Sequence, residues 1–437
     1  MRGRPLALKV ALAAALALLP VAGSPQGASG QGAVGGASPT RAIPDLQAAS
    51  AILIDARDGA VILQSGPDRR RAIASTTKLM TALLVLERAK PDAVYTAPVY
   101  RALAVESKID LKPGERMRVD DLLEALLLES ANDAAVTIAE GVSGSRAAFV
   151  RAMNERAKRI GLAGTSYANP VGLDDSANYS TARDLARLAR LLLGNARFAK
   201  IVDSPSAVLE SGARPRVVDN RNDLIAQYPF VDGVKTGYTR NAGYVLVGAA
   251  RGPLKQQVIS VVLGEPSEAA RDADTLALLR YGLGRFRRVK ALDSGRALAT
   301  ADVAHRDERV ELVPARDLRV VARRGVRVVR RVDAPDELAG ELPAGARVGR
   351  VTVVRGKRTV ARVPLVTAAE VPGAGALRIV VADLGLPLTL LLLAVIVSVG
   401  VLAAGRLQSR RRARDRAQER RARARAEASA ERPDPTT

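Results

Sequence analysis

Cysteine is absent from this sequence, which excludes disulfides, thiolate catalysis, iron–sulfur clusters and cysteine-ligated zinc. Histidine occurs once, at His305, so no histidine cluster can hold a metal, and a Ser-His-Asp triad would have to use that residue. Tryptophan is missing, and eight Tyr with four Phe leave little for stacking on nucleic-acid bases. What remains is a 437-residue chain, long enough for roughly three domains at about 150 residues each. Its hydrophobic fraction of 48% suffices for a sizeable core and excludes wholesale disorder.

The formal net charge of +22 raises the question of a polyanionic partner. Residues 406–437 hold eleven Arg against five acids, and residues 286–370 hold nineteen basic against eleven acidic residues. The excess is therefore spread out, without aromatic interleaving, and only eleven residues of the chain are lysine. A compositional preference for arginine accounts for it. No nucleic-acid partner is expected, while an electrostatic role near anionic surfaces stays open.

Residues 1–23 start basic, continue through VALAAALALLPVA and end on Ala22 and Gly23, the pattern of a secretory signal peptide, with an uncleaved anchor as the alternative. Residues 24–44 are a Gly/Ser/Pro-rich linker. Near the other end, residues 384–404 run for 21 positions without a charge, and Arg406, Arg410, Arg411 and Arg412 follow at once. That length fits a membrane-spanning helix, and its basic flank marks the cytoplasmic side. The expected topology is a single-pass membrane protein with its main body extracytoplasmic and residues 405–437 as a basic cytoplasmic tail.

Between those ends, AILIDARDGAVILQ reads as two short strands around Arg57-Asp58-Gly59. From Ile73 to about Ala226 the apolar spacing is mainly helical. Strands return with FVDGVKTGYT, NAGYVLVGAA and QQVISVVLG, and a helix follows from about Pro266 to Tyr281. Strands at both ends of a helical insert predict one antiparallel sheet in a main domain over 45–285. The valine alternations RVVARRGVRVVRRV and ARVGRVTVVRG predict a small β domain over 286–371, with 372–383 as a linker.

Three short motifs can carry chemistry. Ser75 and Lys78 are three apart at the start of an amphipathic helix, which places amine and hydroxyl on one face. Orphan N–H groups and the positive helix end lie nearby, and burial lowers a lysine pKa as a general base requires. The alternative is an N-capping serine beside an exposed lysine. Ser130-Ala-Asn132 joins two helices just before the acid-led turn at Asp133, and helix capping competes there too. A second Ser-x-Asn at 176–178 makes that pattern unspecific. Lys235-Thr236-Gly237 lies on a predicted strand, where glycine permits close backbone approach and the lysine suits a peptide carboxylate.

Ser-x-x-Lys, Ser-x-Asn and Lys-Thr-Gly in this order resemble the signature of penicillin-binding proteins and serine β-lactamases. The segments IASTTKLMTALLVLE, LKPGERMRVDDLLEALLLESANDAA, NPVGLDDSANYSTARDLARLA and FVDGVKTGYTRNAGYVLVGAA are similar to the D-alanyl-D-alanine carboxypeptidase family of low-molecular-mass penicillin-binding proteins. The resemblance covers about residues 45–286 and extends more loosely to 371. It departs at the anchor, since members often use an amphipathic C-terminal helix.

The resemblance implies an α+β, β-lactamase/transpeptidase-like catalytic domain, with an antiparallel sheet flanked by helices and a helical subdomain. A small all-β domain and one transmembrane helix follow it. It implies removal of the terminal D-alanine from peptidoglycan stem pentapeptides through an acyl-enzyme on Ser75, with β-lactams as covalent inhibitors. Lys78 would be the base, Ser130 the proton relay and Asn132 the holder of the substrate amide. Lys235 and Thr236 would bind the terminal carboxylate beside Gly237, and the N–H groups of Ser75 and Tyr238 would form the oxyanion hole. No metal or organic cofactor is needed. A DD-endopeptidase and a β-lactamase share these motifs, although no class A-type glutamate stands out between Ser130 and Lys235. A silent wall-binding protein would not need them intact. His305 is expected at or near the surface.

Overall fold

A computed structural model describes residues 42–430; the signal-peptide and most of the linker reading, 1–41, and the last residues of the tail lie outside it. The chain enters through β1 (Ser50–Asp55) and β2 (Val61–Ser65), a hairpin turning at Arg57-Asp58-Gly59. A 3-10 turn, Ala74–Thr77, leads into α1 (Lys78–Arg88). Next come β3 (Val94–Thr96), β4 (Arg116–Arg118), α2 (Val119–Leu127), α3 (Asn132–Ser143) and α4 (Arg146–Arg159). They are followed by α5 (Ala182–Leu192), α6 (Ala196–Val202), β5 (Ser206–Leu209), β6 (Arg216–Asp219) and the short α7 (Leu224–Gln227). The domain closes with β7 (Val231–Thr239), β8 (Gly243–Arg251), β9 (Gln257–Glu265) and α8 (Glu268–Leu283).

The main sheet has five strands in the order β2-β1-β9-β8-β7, so both ends of the domain build one antiparallel sheet around the helical insert. Its continuous apolar runs follow from burial on both faces. In β8, Val245 and Val247 join Ile52, Ile259 and Val261 against α1 and the other helices, whereas Leu246 and Ala250 join Leu53, Val258 and Val262 against α8. Successive strand residues point to opposite faces, and here both faces are core. The helical reading of 73–226 overlooked two antiparallel ribbons, β3 with β4 and β5 with β6. Each strand is only three or four residues long, too short for a period of two to stand out.

Beyond α8, strands β10 (Phe286–Leu292), β11 (Ala299–Val303), β12 (Arg309–Pro314) and β13 (Leu318–Arg323) begin an all-β region. It continues with β14 (Val328–Asp333), β15 (Glu337–Leu338), β16 (Arg347–Arg355) and β17 (Arg358–Thr367). Six of these strands form one sheet and β10 pairs with β13, over cores that include Leu312, Val351, Val353, Val363 and Leu365. The α+β class with a following β region is therefore as expected. The stretch 372–383, read as a linker, is largely helical: α9 covers Ala376–Leu384, between Gly375 and Gly385. One long helix, α10 (Leu386–Ala430), then carries both the apolar run and the arginines. Its uncharged residues 386–404 span roughly 28 Å at 1.5 Å per residue, about the thickness of a bilayer's hydrocarbon core. Their large side chains, such as Leu391, Ile396 and Val401, face outward from the chain.

A loop at 169–178 lies against the 3-10 turn. Asn169 Oδ1 accepts from the N–H groups of Gly172 at 2.7 Å and Leu173 at 3.2 Å, curling the loop on itself. Gly172 has φ +95°, and a Cβ there would come within 2.0 Å of the Ala74 carbonyl oxygen. Gly172→Ala should therefore destabilise the fold by at least about 1–3 kcal/mol. Thermal unfolding checks this; an unchanged midpoint would mean that the loop does not depend on this close approach.

Candidate active site

Ser75 stands in the 3-10 turn and Lys78 is the first residue of α1. Tightening the backbone here keeps the two side chains on one side, with Lys78 Nζ 2.9 Å from Ser75 Oγ. Lys78 Nζ also donates to the Val171 carbonyl at 2.7 Å. The turn is braced by Thr76 Oγ1, which donates to the Ile73 carbonyl at 2.6 Å. Thr81 Oγ1 donates to the Pro170 carbonyl at 2.8 Å, holding α1 against the 169–178 loop. Neither serine of the motifs caps a helix: α1 begins after Thr77, α3 begins after Ala131, and neither N-cap residue makes a side-chain capping bond. The capping alternatives are thereby removed.

Ser130 is buried in the sharp connection between α2 and α3, with φ +64°. Asn132, the first residue of α3, is also buried. Its Nδ2 donates to Glu106 Oε2 at 2.7 Å. Lys235, Thr236 and Gly237 lie on β7, the edge strand of the main sheet, and Lys235 is 1% exposed. A Cβ at Gly237 would sit 2.8 Å from Ser75 N and 3.1 Å from Ala74 Cβ. Only glycine lets β7 pass this close to the serine, and the next residue of that strand is Tyr238. The structure thus brings Ser75, Lys78 and Lys235 together and packs β7 against the 3-10 turn.

The second Ser-x-Asn, Ser176-Ala-Asn178, lies in the 169–178 loop. Asn178 Nδ2 donates to Thr77 Oγ1 at 3.2 Å, tying the loop to the turn that carries Ser75. Asp174 accepts from Thr239 Oγ1 at 2.6 Å, linking the loop to the end of β7. His305 lies in the β region, exposed, with Nδ1 3.8 Å from Asp383.

Two lysines buried near one another dominate the electrostatics. Burial first, and the charge of Lys235 second, hold Lys78 well below the ordinary lysine value; Glu106 and Asp133 pull in the opposite direction. Lys235 is lowered to about 7, by burial and then by the Arg221 guanidinium, against Glu129. Sequence reasoning missed Glu106, Glu129 and Arg221, because no short motif contains them. Only Asp133 carried a signal, through its place beside Asn132.

An amine buried against a serine, at an edge strand that carries a second buried lysine, is the layout of an active-serine hydrolase that works without histidine. The sequence matches the D-alanyl-D-alanine carboxypeptidase family profile over residues 37–267, and the profile of the C-terminal domain of penicillin-binding protein 5 over 286–373. It is 30% identical to D-alanyl-D-alanine carboxypeptidase DacF of Bacillus subtilis over 349 residues, which is 78% of this chain and 90% of that protein. Penicillin-binding protein 5 of Haemophilus influenzae superposes with a TM-score of 0.55 at 28% identity, covering 76% of this chain and 99% of that one. A variant of a DD-transpeptidase from Streptomyces superposes at 0.53 with 30% identity, over 55% of this chain and all of the other (100%). The chain belongs to the D-alanyl-D-alanine carboxypeptidase family, whose members are serine-type hydrolases.

The lowered lysine pKa has a consequence for stability. Between about pH 7 and the unfolded lysine value of 10.5, the unfolded chain binds a proton at this position that folded Lys235 does not. Unfolding free energy therefore gains a positive slope with pH across that window. Denaturant unfolding at about pH 7 and pH 9.5 should show stability rising in the wild type, with a smaller rise in Lys235→Met. An equal rise in both would mean that Lys235 keeps its proton when folded.

Proposed function

We propose that the protein is a serine D-alanyl-D-alanine carboxypeptidase that trims peptidoglycan stem pentapeptides through an acyl-enzyme on Ser75. The observation that carries this reading is the buried Lys78 amine 2.9 Å from Ser75 Oγ, depressed below its ordinary pKa. A neutral amine has a lone pair, so Ser75 O–H can donate to it and lose its proton as the oxygen attacks the carbonyl between two terminal D-alanines. The oxyanion that forms is received by the N–H groups of Ser75 and Tyr238. Each such donor is worth about 2.7–4 kcal/mol of transition-state stabilisation.

Ser130 passes the proton to the departing D-alanine, and Asn132 holds the substrate amide. Lys235 and Thr236 receive the terminal carboxylate. Free Lys235 lies near its titration point at about 7, and an arriving carboxylate favours its ammonium form. The peptide lies along β7, where an edge strand offers backbone groups for pairing and Gly237 keeps the strand close to Ser75. Water then hydrolyses the ester. Penicillin, an acyl donor with its own carboxylate, enters by the same route and stays as a covalent adduct.

Exposure to penicillin followed by mass spectrometry tests the centre of this reading. One penicilloyl group should map to Ser75, and Ser75→Ala should lose it entirely while its unfolding midpoint is kept. A stable adduct on Ser75→Ala would place the nucleophile elsewhere.

The site works where its polymer is, outside the cytoplasm. A signal peptide at 1–23 followed by a linker over 24–44 would deliver the catalytic domain (45–285) and the small β domain (286–371) there. Residues 384–404 would cross the membrane, leaving 405–437 as a basic tail on the cytoplasmic side. The arginines that follow the apolar run support this orientation. Protease added to intact spheroplasts should remove the catalytic domain and spare the tail. A protected catalytic domain would reverse the topology.

A further inference from the structure

One acidic side chain outside the three motifs reaches into the site. Glu106 stands on the long connection between β3 and β4, and its Oε2 accepts from Asn132 Nδ2 at 2.7 Å. The same oxygen accepts from the Tyr100 hydroxyl, and Oε1 accepts from the Leu103 N–H at 2.9 Å. The connection is stapled to α3 from the other side. Asn132 N–H donates to the Ser107 carbonyl at 2.8 Å, and the Asp133 carboxylate accepts from the N–H groups of Ile109 at 3.2 Å and Leu111 at 2.9 Å. Glu106 is thus presented by a fixed loop.

We propose that Glu106 is a positioning residue of this active site: its carboxylate orients the Asn132 carboxamide and supplies the negative charge against which Lys78 works. The inference rests on the serine-peptidase reading above. Its first half follows from donor chemistry. An ionised carboxylate only accepts, so the NH2 end of the Asn132 amide must face Glu106, and the amide cannot flip. Burial pushes the Glu106 carboxyl up, but the bonds from Tyr100, Leu103 and Asn132, with the charge of Lys78, outweigh it and hold it below the usual range.

The second half follows from the charges around Lys78, which are Lys235 on β7, Asp133 on α3 and Glu106 on the loop. Lys235 disfavours the ammonium, while the two carboxylates favour it. When Lys78 takes the Ser75 proton it becomes positive, and a fixed anion nearby keeps it basic enough to do so. Asp133 is committed to the backbone N–H groups of Ile109, Leu111 and Ala134. Glu106, besides its bonds to Leu103 and Tyr100 on its own loop, has a side-chain bond to a motif residue, so its charge is also tied to the site.

The test compares Glu106→Gln, which keeps an acceptor for Asn132 but loses the charge, with Glu106→Ala, which loses both. In the full chain in detergent, lysines labelled with carbon-13 at Cε report the Lys78 titration, assigned by its absence in Lys78→Ala. Removing a negative neighbour disfavours the ammonium, so the Lys78 midpoint should fall by on the order of one pH unit in both Glu106 variants. The acidic limb of penicillin acylation should move to lower pH by the same amount. Glu106→Ala should also raise KM for a D-Ala-D-Ala peptide, and Glu106→Gln should raise it less. A Lys78 midpoint unchanged in both variants, or lowered by Ala and restored by Gln, would reduce Glu106 to a strut of the loop and overturn the proposal. Failure of the wild type to acylate would overturn the serine reading separately, and the lysine titration would still decide the role of Glu106.

Discussion

A lysine amine held inside the protein beside a serine is the constraint on which the rest of this site depends. An ammonium stripped of water costs several kcal/mol unless it is paired, and the group escapes that cost by losing its proton. Lys78 is completely buried, with one partner in Ser75 Oγ and another in a backbone carbonyl, neither of which is an anion. The surrounding architecture serves this condition. The 169–178 loop delivers the Val171 carbonyl, Gly172 lets that loop touch the turn, and Gly237 lets the edge strand do the same from the other side.

Placing a second lysine nearby strengthens the effect, because two ammonium groups in low dielectric repel. The site also carries counter-charges to both lysines. Glu106 and Asp133 moderate Lys78, whereas Glu129 moderates Lys235 and is itself paired with Arg221. Each carboxylate is fixed by hydrogen bonds to backbone or side chains. The electrostatic balance of the two lysines is thus built into the residues around the motifs.

The body of the chain was legible because its signals are strong and local. Both faces of the sheet are core, so β8 and β9 read as unbroken apolar runs, and the hairpin at Arg57-Asp58-Gly59 announces itself by its turn residues. The helix expected from about Pro266 to Tyr281 runs from Glu268 to Leu283, capped by the Ser267 side chain. The short ribbons β3–β4 and β5–β6 went unread because three- or four-residue strands held by tertiary contacts carry too little pattern. Helix α9 was hidden for a related reason: it has only nine residues, and Pro372-Gly373-Ala374-Gly375 just before it read as a linker.

Residue order alone determined the three motifs, their sequence along the chain and the apolar run with its arginine flank. Those properties depend on spacing within one segment, and spacing survives in a one-dimensional string. The choice between Ser130-Ala-Asn132 and Ser176-Ala-Asn178 was different. Only the tertiary structure distinguishes their surroundings, with one asparagine against a carboxylate and the other against the hydroxyl of Thr77. It also decided which residues tune the lysines. Glu106 lies 28 positions from Lys78, and Arg221 and Lys235 come from separate elements. Burial and electrostatic fields sum over neighbours in space, so no window of sequence contains them.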